Sequence, residues 1–166
     1  MNVLLLADTH LGEGQSGRLI DKLRGHVEAA DIIIHAGDVT DVSVLMALEE
    51  FAPVHAVLGN NDRGMTLPER LVVELDGCAI AAVHDSGSAG GRAARLRRWF
   101  PEADVVVFGH SHIPWHQIDV RASDGHAQHH VNPGSAMQRR AAPRHTAAML
   151  ELGDGVVIDV SHIVLS

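Results

Sequence analysis

Thiols, aromatic rings and positive charge are all scarce in this chain. Its 166 residues include one cysteine, no tyrosine, two tryptophans and three phenylalanines. A single cysteine excludes a disulfide framework and any thiolate-rich zinc site, and it fits a reducing, cytoplasmic setting. Thirteen Lys and Arg stand against 21 Asp and Glu, a formal net charge of −8. Such a balance argues against binding to long nucleic acid, which depends on a basic surface, and leaves only nucleotide-sized ligands of that class. No stretch approaches the ~20 apolar residues of a membrane span, so no membrane partner is expected. The opening run Val3 to Ala7 is short, lacks a basic flank and ends at Asp8, so it reads as a strand rather than a signal peptide. At 46% hydrophobic and 20% charged residues the composition is that of a folded protein, and the length fits one domain over residues 1–166. What is abundant is histidine, with 13 copies.

Apolar runs and helical stripes alternate from the start. Val3–Ala7, Ile32–Ile34 and Val54–Leu58 read as buried strands, separated by helices over 17–30 and Asp41–Phe51. Leu71–Leu75 and Cys78–Val83 flank Asp76-Gly77, a hairpin signal. A helix over Ala89–Phe100 stops at Pro101, and Val105–Phe108 reads as another strand. The remainder is expected to be all-β, with hairpins around Asp124-Gly125 and Gly153-Asp154-Gly155. This βαβαβ opening followed by hairpins predicts a mixed-sheet, layered α/β domain.

The polar residues fall at the strand ends. Asp8-Thr9-His10, Gly37-Asp38, Gly59-Asn60-Asn61-Asp62, His84 and Gly109-His110-Ser111-His112 each follow an apolar strand. Ligands of open α/β sheets bind at that edge. Asp8 and His10 are two apart, as are His110 and His112, and alternate residues of an extended segment point the same way. Asp8, His10, Asp38, Asn60, His84, His110 and His112 are too few for two closed sites, but they suit two ions sharing a carboxylate. Imidazole with carboxylate and amide oxygen favours Mn, Fe, Zn or Ni. Two divalent ions about 3.5–4 Å apart can clamp a phosphoryl group, supplying the positive charge that the chain itself lacks.

In this order the motifs resemble the calcineurin-like metallophosphoesterases, and more narrowly their small bacterial and archaeal phosphodiesterases, from residue 1 to about 135. Asn132-Pro133-Gly134-Ser135 is similar to that subgroup as well. The resemblance implies a four-layer α/β/β/α sandwich of two mixed β-sheets with the site at its apex. It implies that one metal takes Asp8, His10, Asp38 and His112, and the second takes Asp38, Asn60, His84 and His110, with Asp38 bridging. It places Asp38, Asn60, Asp62 and His84 in the catalytic machinery, Asp62 by orienting a ligand or the loop. The implied cofactors are two divalent ions, manganese foremost, with Fe, Zn or Ni as alternatives. The implied reaction is hydrolysis of a small phosphodiester by a metal-bridging hydroxide. Such ligands bind metal only when neutral, so activity is expected to fall below about pH 6.

One position departs from the pattern. Many relatives carry His, the group thought to protonate the leaving group, where this chain has Asn61. Asparagine cannot be a general acid near neutral pH, so substrates with good leaving groups are expected. The alternative function is a non-catalytic scaffold that binds partner proteins, as in a retromer-type coat subunit of the same fold. The complete ligand set favours the enzyme. A homo-oligomer stays open.

Other residues read less sharply. His35 is expected to be a satisfied buried histidine, and His126, His129 and His130 a solvated rim. His26, His55, His116, His145 and His162 show no ligand spacing. Arg92, Arg95, Arg97 and Arg98 read as the solvated face of a helix, and 86–91 as a flexible connector. Arg63 is a candidate for substrate contact, Trp115 for packing the rim, and Cys78 for a buried small hydrophobe.

Overall fold

A computed structural model describes residues Met1–Ser166. The first half lays down β1 (Asn2–Leu6), α1 (Ser16–Ala29), β2 (Ile32–His35), α2 (Val42–Glu49) and β3 (Val54–Ala56). The second half adds β4 (Arg70–Leu75), β5 (Cys78–Val83), α3 (Arg92–Trp99), β6 (Val105–Val107), β7 (Trp115–Val120), β8 (Ala127–Asn132), β9 (His145–Gly153) and β10 (Val156–Leu165). They form two five-stranded sheets, in the orders β10-β9-β1-β2-β3 and β4-β5-β6-β8-β7. Each sheet is mixed. β1, β2 and β3 run parallel in one, and β5, β6 and β8 in the other, with antiparallel strands outside them.

The short apolar runs are strands buried on both faces. In β1, Val3 and Leu5 face the other sheet, while Leu4 and Leu6 pack under α1 and α2 beside Leu19, Leu23 and Leu48. In β5, Ile80 and Ala82 meet the first sheet, while Ala81 and Val83 lie under α3 with Leu96 and Phe100. Helix, sheet, sheet and helix therefore stack in four layers, the α/β/β/α sandwich that the motifs imply. Each fully buried leucine contributes about 1.5–3 kcal/mol through the water it no longer orders.

Local chemistry sets the boundaries. Asp41 caps α2 by accepting the Ser43 N–H at 2.9 Å, so the helix begins one residue later than the span Asp41–Phe51 expected from the sequence. Asp76-Gly77 adopts φ of 49° and 79°, the left-handed pair of a tight hairpin turn. Two of the strands preceding the polar motifs are shorter than their apolar runs, β3 ending at Ala56 and β6 at Val107. The chain leaves the sheet before the polar residues begin, and their geometry is that of loops.

Candidate metal centre

The ends of the parallel strands meet where the loops of the two sheets touch. The Asp8 N–H donates to the Gly37 carbonyl at 2.9 Å, and the His10 N–H to the Asp38 carbonyl at 3.0 Å. Within the second sheet, the Gly109 N–H donates to the His84 carbonyl at 2.9 Å. Two glycines permit this crowding. A Cβ on Gly59 would lie 2.1 Å from the Asp38 nitrogen, and one on Gly109 would lie 2.8 Å from both Ala7 Cβ and Asp8 Oδ2.

All seven predicted ligands come together here. His112 Nε2 lies 3.3 Å from Asp8 Oδ1, and His10 Nε2 lies 3.3 Å from both His112 Nε2 and Asp38 Oδ2. His84 Nε2 lies 3.5 Å from Asp38 Oδ2 and 3.0 Å from Asn60 Oδ1. Asn60 Oδ1 also sits 3.0 Å from His110 Nδ1. Asp8, His10 and His112 form one group whose donor atoms all lie within 4.8 Å of one another, and Asp8, Asp38 and His84 form another. Asp8, Asp38, His84 and His112 are buried, whereas Asn60 and His110 are exposed, so the cluster opens to solvent on one side. A hollow of about 280 Å³ lies there, lined by Asn60, His84, His110, Glu69 and Arg70 among others.

The pairs converge, but not by strand alternation. Asp8, His10, Asp38, His110 and His112 have φ of 54°, 47°, 56°, 70° and 60°. Non-glycine residues rarely adopt this left-handed region, and such strain gathers at functional sites. Two left-handed residues separated by one ordinary residue aim both side chains inward, replacing the extended segment expected from the spacing.

The donor chemistry fits divalent ions. His84 Nδ1 donates to the Ala36 carbonyl at 2.8 Å, and His112 Nδ1 donates to the Gln138 carbonyl. Since a carbonyl only accepts, each Nε2 turns a lone pair toward the cluster, the arrangement of a metal-ligating histidine. Both carboxylate oxygens of Asp8 are buried without a hydrogen-bond partner. Burial pushes the Asp8 carboxyl up to about 7, against the pull of His84. Burial also works against the Asp38 carboxylate, yet the nearby His84 ring and the hydrogen bonds from Asn61 hold it well below the usual range. Burial lowers His10 and His112, which favours the neutral, ligating form. Two carboxylates and several imidazole lone pairs face one another at these distances, and a cation is what relieves that arrangement.

A family model of the calcineurin-like phosphoesterase superfamily domain matches residues 1–155. The chain belongs to the calcineurin-like phosphoesterase superfamily. A curated relative from Methanothermobacter thermautotrophicus, named "Probable metallophosphoesterase", is 30% identical over 119 residues, which span 69% of each chain. An archaeal phosphodiesterase of known structure superposes with a TM-score of 0.71 at 20% identity, covering 99% of this chain and 100% of the other. Vps29 of Entamoeba histolytica, in complex with zinc, superposes with a TM-score of 0.70 at 20% identity, covering 99% of each. The two structural likenesses concern the fold.

Asp62 of this phosphoesterase domain stands apart from the ligands. Its carboxylate accepts the backbone N–H groups of Asp38 at 2.9 Å, Gly59 at 2.7 Å and Thr40 at 2.7 Å. It therefore ties the second and third motifs together. Asn61 donates to both oxygens of Asp38, from its backbone at 2.8 Å and its side chain at 2.7 Å.

Several surrounding residues differ from expectation. His130 is fully buried under α3, its Nε2 donating to Gln128 Oε1 at 2.8 Å, and burial lowers it to about 4. His129 stacks on His116, and His126 bridges Asp104 and Arg97. His130 is buried in β8, while His129 beside it and His126 just before the strand are half-buried and partnered, so the three do not form a solvated rim. Of the four α3 arginines only Arg98 is exposed. Arg97 pairs with Asp119, Arg92 lies over the Phe108 and Trp115 rings, and Arg95 donates to the carbonyls of Ser86, Ser88 and Gly90. Loop 86–91 is thereby clamped by Arg95. His35 is buried, and Thr9 Oγ1 lies 3.1 Å from its Nε2 while its Nδ1 has no partner. Arg63 is exposed beside a separate hollow of about 420 Å³ that also includes Thr40, Leu45 and Met65.

Sequence reasoning missed the residues that hold the ligands. Asn132 Nδ2 donates to the Gly109 carbonyl at 2.9 Å and to Ser111 Oγ at 3.1 Å. Ser135 Oγ donates to the Asp8 carbonyl at 2.7 Å. The Asn132–Ser135 motif was the available signal. Nothing marked the carbonyls of Ala36 and Gln138, because a backbone role leaves no residue type to read.

Proposed function

We propose that this chain is a dinuclear phosphodiesterase, one domain over residues 1–166, acting on a small phosphodiester with a good leaving group. The observation that carries this reading is the buried Asp8 carboxylate, partnerless at the centre of a ring of inward-facing imidazole nitrogens. One ion falls to Asp8, His10, Asp38 and His112, the other to Asp38, Asn60, His84 and His110, and Asp38 is shared. Manganese is the foremost candidate, with Fe, Zn or Ni as alternatives. Bound divalent ions supply Lewis acidity at the phosphoryl oxygens and make water acidic enough to attack near neutral pH.

The protein's own residues fix where that chemistry occurs. Ala36 and Gln138 hold His84 and His112 in the ligating tautomer. Asp62 fixes the backbone on both sides of Asp38 and Asn60. Exposed Asn60 and His110 leave the side of the cluster that a substrate can reach. The free, buried Cys78 is compatible with a cytoplasmic setting. No helix is long and apolar enough to cross a membrane.

Hydrolysis of bis(p-nitrophenyl) phosphate by the Mn²⁺-loaded protein tests the reading, and no turnover across several divalent ions would overturn it. Asp38→Asn is expected to lower activity by more than about a hundredfold, since losing a shared ligand exceeds the usual cost of losing a group behind one. Unchanged activity there rejects the bridge. A second reading, a non-catalytic scaffold, draws on Asn61 at the acid position. Near-stoichiometric metal lost on mutating both His110 and His112, together with turnover, separates the two.

A further inference from the structure

The loop after β8 folds back over the cluster and ends on an arginine that no carboxylate neutralises. Ser135 Oγ donates to the Asp8 carbonyl and accepts the Gln138 N–H at 2.8 Å. The Gln138 carbonyl accepts from His112 Nδ1. Two residues on, Arg140 takes a left-handed backbone, φ 47°, and its Nη1 donates to the His110 carbonyl at 3.4 Å. Loop 135–140 is thus tied to the segments carrying Asp8, His110 and His112. The bonds that orient His112 also set the position of Arg140.

Three other arginines of this half are engaged differently, while exposed Arg63 lines the separate hollow beside Thr40. Arg70 stacks on Trp99, Arg95 holds loop 86–91 and Arg97 pairs with Asp119. Arg140 is exposed, has no ion pair and makes only the one long hydrogen bond, so most of its N–H fork faces solvent without a protein partner. Its hydrogen bond to the His110 carbonyl places it at the edge of the cluster. In a chain of net charge −8, a cation fixed beside a cluster of carboxylates has a use if an anion must dock there.

From these contacts we infer that Arg140 is a substrate-binding residue whose guanidinium takes a non-bridging oxygen of the phosphoryl group held against the cluster. The inference rests on the phosphoesterase reading and adds to it the residue that anchors the anion from outside the ligand set. A guanidinium suits this better than an ammonium, because its fork can grip two phosphate oxygens at once.

The test compares wild type, Arg140→Gln and Arg140→Lys, each loaded with Mn²⁺ and titrated with inorganic phosphate by calorimetry. Metal content is measured on the same samples. All three are expected to hold equal metal. Phosphate affinity should fall by about tenfold to a hundredfold in R140Q, the usual size of a lost charge-assisted hydrogen bond, and by less in R140K. Equal phosphate affinity of R140Q and wild type at equal metal content overturns this inference and leaves the phosphoesterase reading intact. Loss of metal in R140Q also overturns it, showing Arg140 to be a prop for the loop. Wild-type protein that takes up no metal, or takes it up and binds no phosphate, overturns both.

Discussion

Asp8 carries the clearest tension between stability and function. Its carboxyl is fully buried, accepts no hydrogen bond and is raised to about 7. A raised carboxylate stabilises the fold at low pH, and this contribution is lost as pH rises from the unfolded value, about 3.9, to the folded one. Metal-free protein should therefore be less stable at pH 8 than Asp8 protonation alone would make it. Asp8→Asn should stabilise the metal-free form at pH 8, by on the order of 2–4 kcal/mol, while impairing metal uptake. Urea unfolding with and without chelator measures both, and a destabilised metal-free D8N would contradict the account. Asn61 is the opposite case, a residue whose effect lies in the chemistry it cannot perform. Asn61→His should raise turnover of alkyl phosphodiesters by up to about a hundredfold and change aryl substrates far less. Parallel assays on the two substrate types decide this, and an equal change in both would reject a leaving-group role.

At the scale of elements, the strands end early and the loops carry the geometry. Val3–Leu6 was legible as a strand because both faces are buried and every residue is apolar. Asp8 and His10 were legible as a pair, but their left-handed backbones were not, since neither is glycine and the strain is imposed by neighbouring loops. The α3 arginines misled for a related reason. A charged residue on a helix is expected in water, yet Arg95 finds its partners in the loop just before the helix and Arg97 finds Asp119 on the sheet. Gly59 tests how tightly the loops fit. Gly59→Ala would bring its Cβ to 2.1 Å from the Asp38 nitrogen and 2.2 Å from its Oδ1. The loop must shift, at a cost of about 1–3 kcal/mol, and Asp38 shifts with it. A lowered melting temperature with reduced metal content is expected, and wild-type values for both would show that the contact yields freely.

For the whole molecule, acid sensitivity is set partly by buried histidines outside the candidate ligand set. Burial lowers His35 to about 3 and His130 to about 4. Both folded values lie below the unfolded one, about 6.5, so between these limits the unfolded chain binds more protons. Their contribution is complete above about pH 6.5 and is lost as pH falls through 4. His130→Leu removes one of these charges, so its stability should fall less steeply between pH 6.5 and 4 than that of the parent. Identical slopes from urea unfolding at several pH values would refute that role. The sequence alone determined a layered, mixed-sheet α/β domain and the candidate ligand residues, because strands buried on both faces must be apolar and metals accept few donor types; the resemblance of its motifs added the four-layer stacking. Tertiary structure alone decided the rest: which imidazole nitrogen faces inward, which loop carbonyl holds it, which histidines are packed away and which arginine stands beside the cluster. Those outcomes depend on contacts between segments far apart in the chain, where a backbone carbonyl or a packed ring leaves no mark on local residue type.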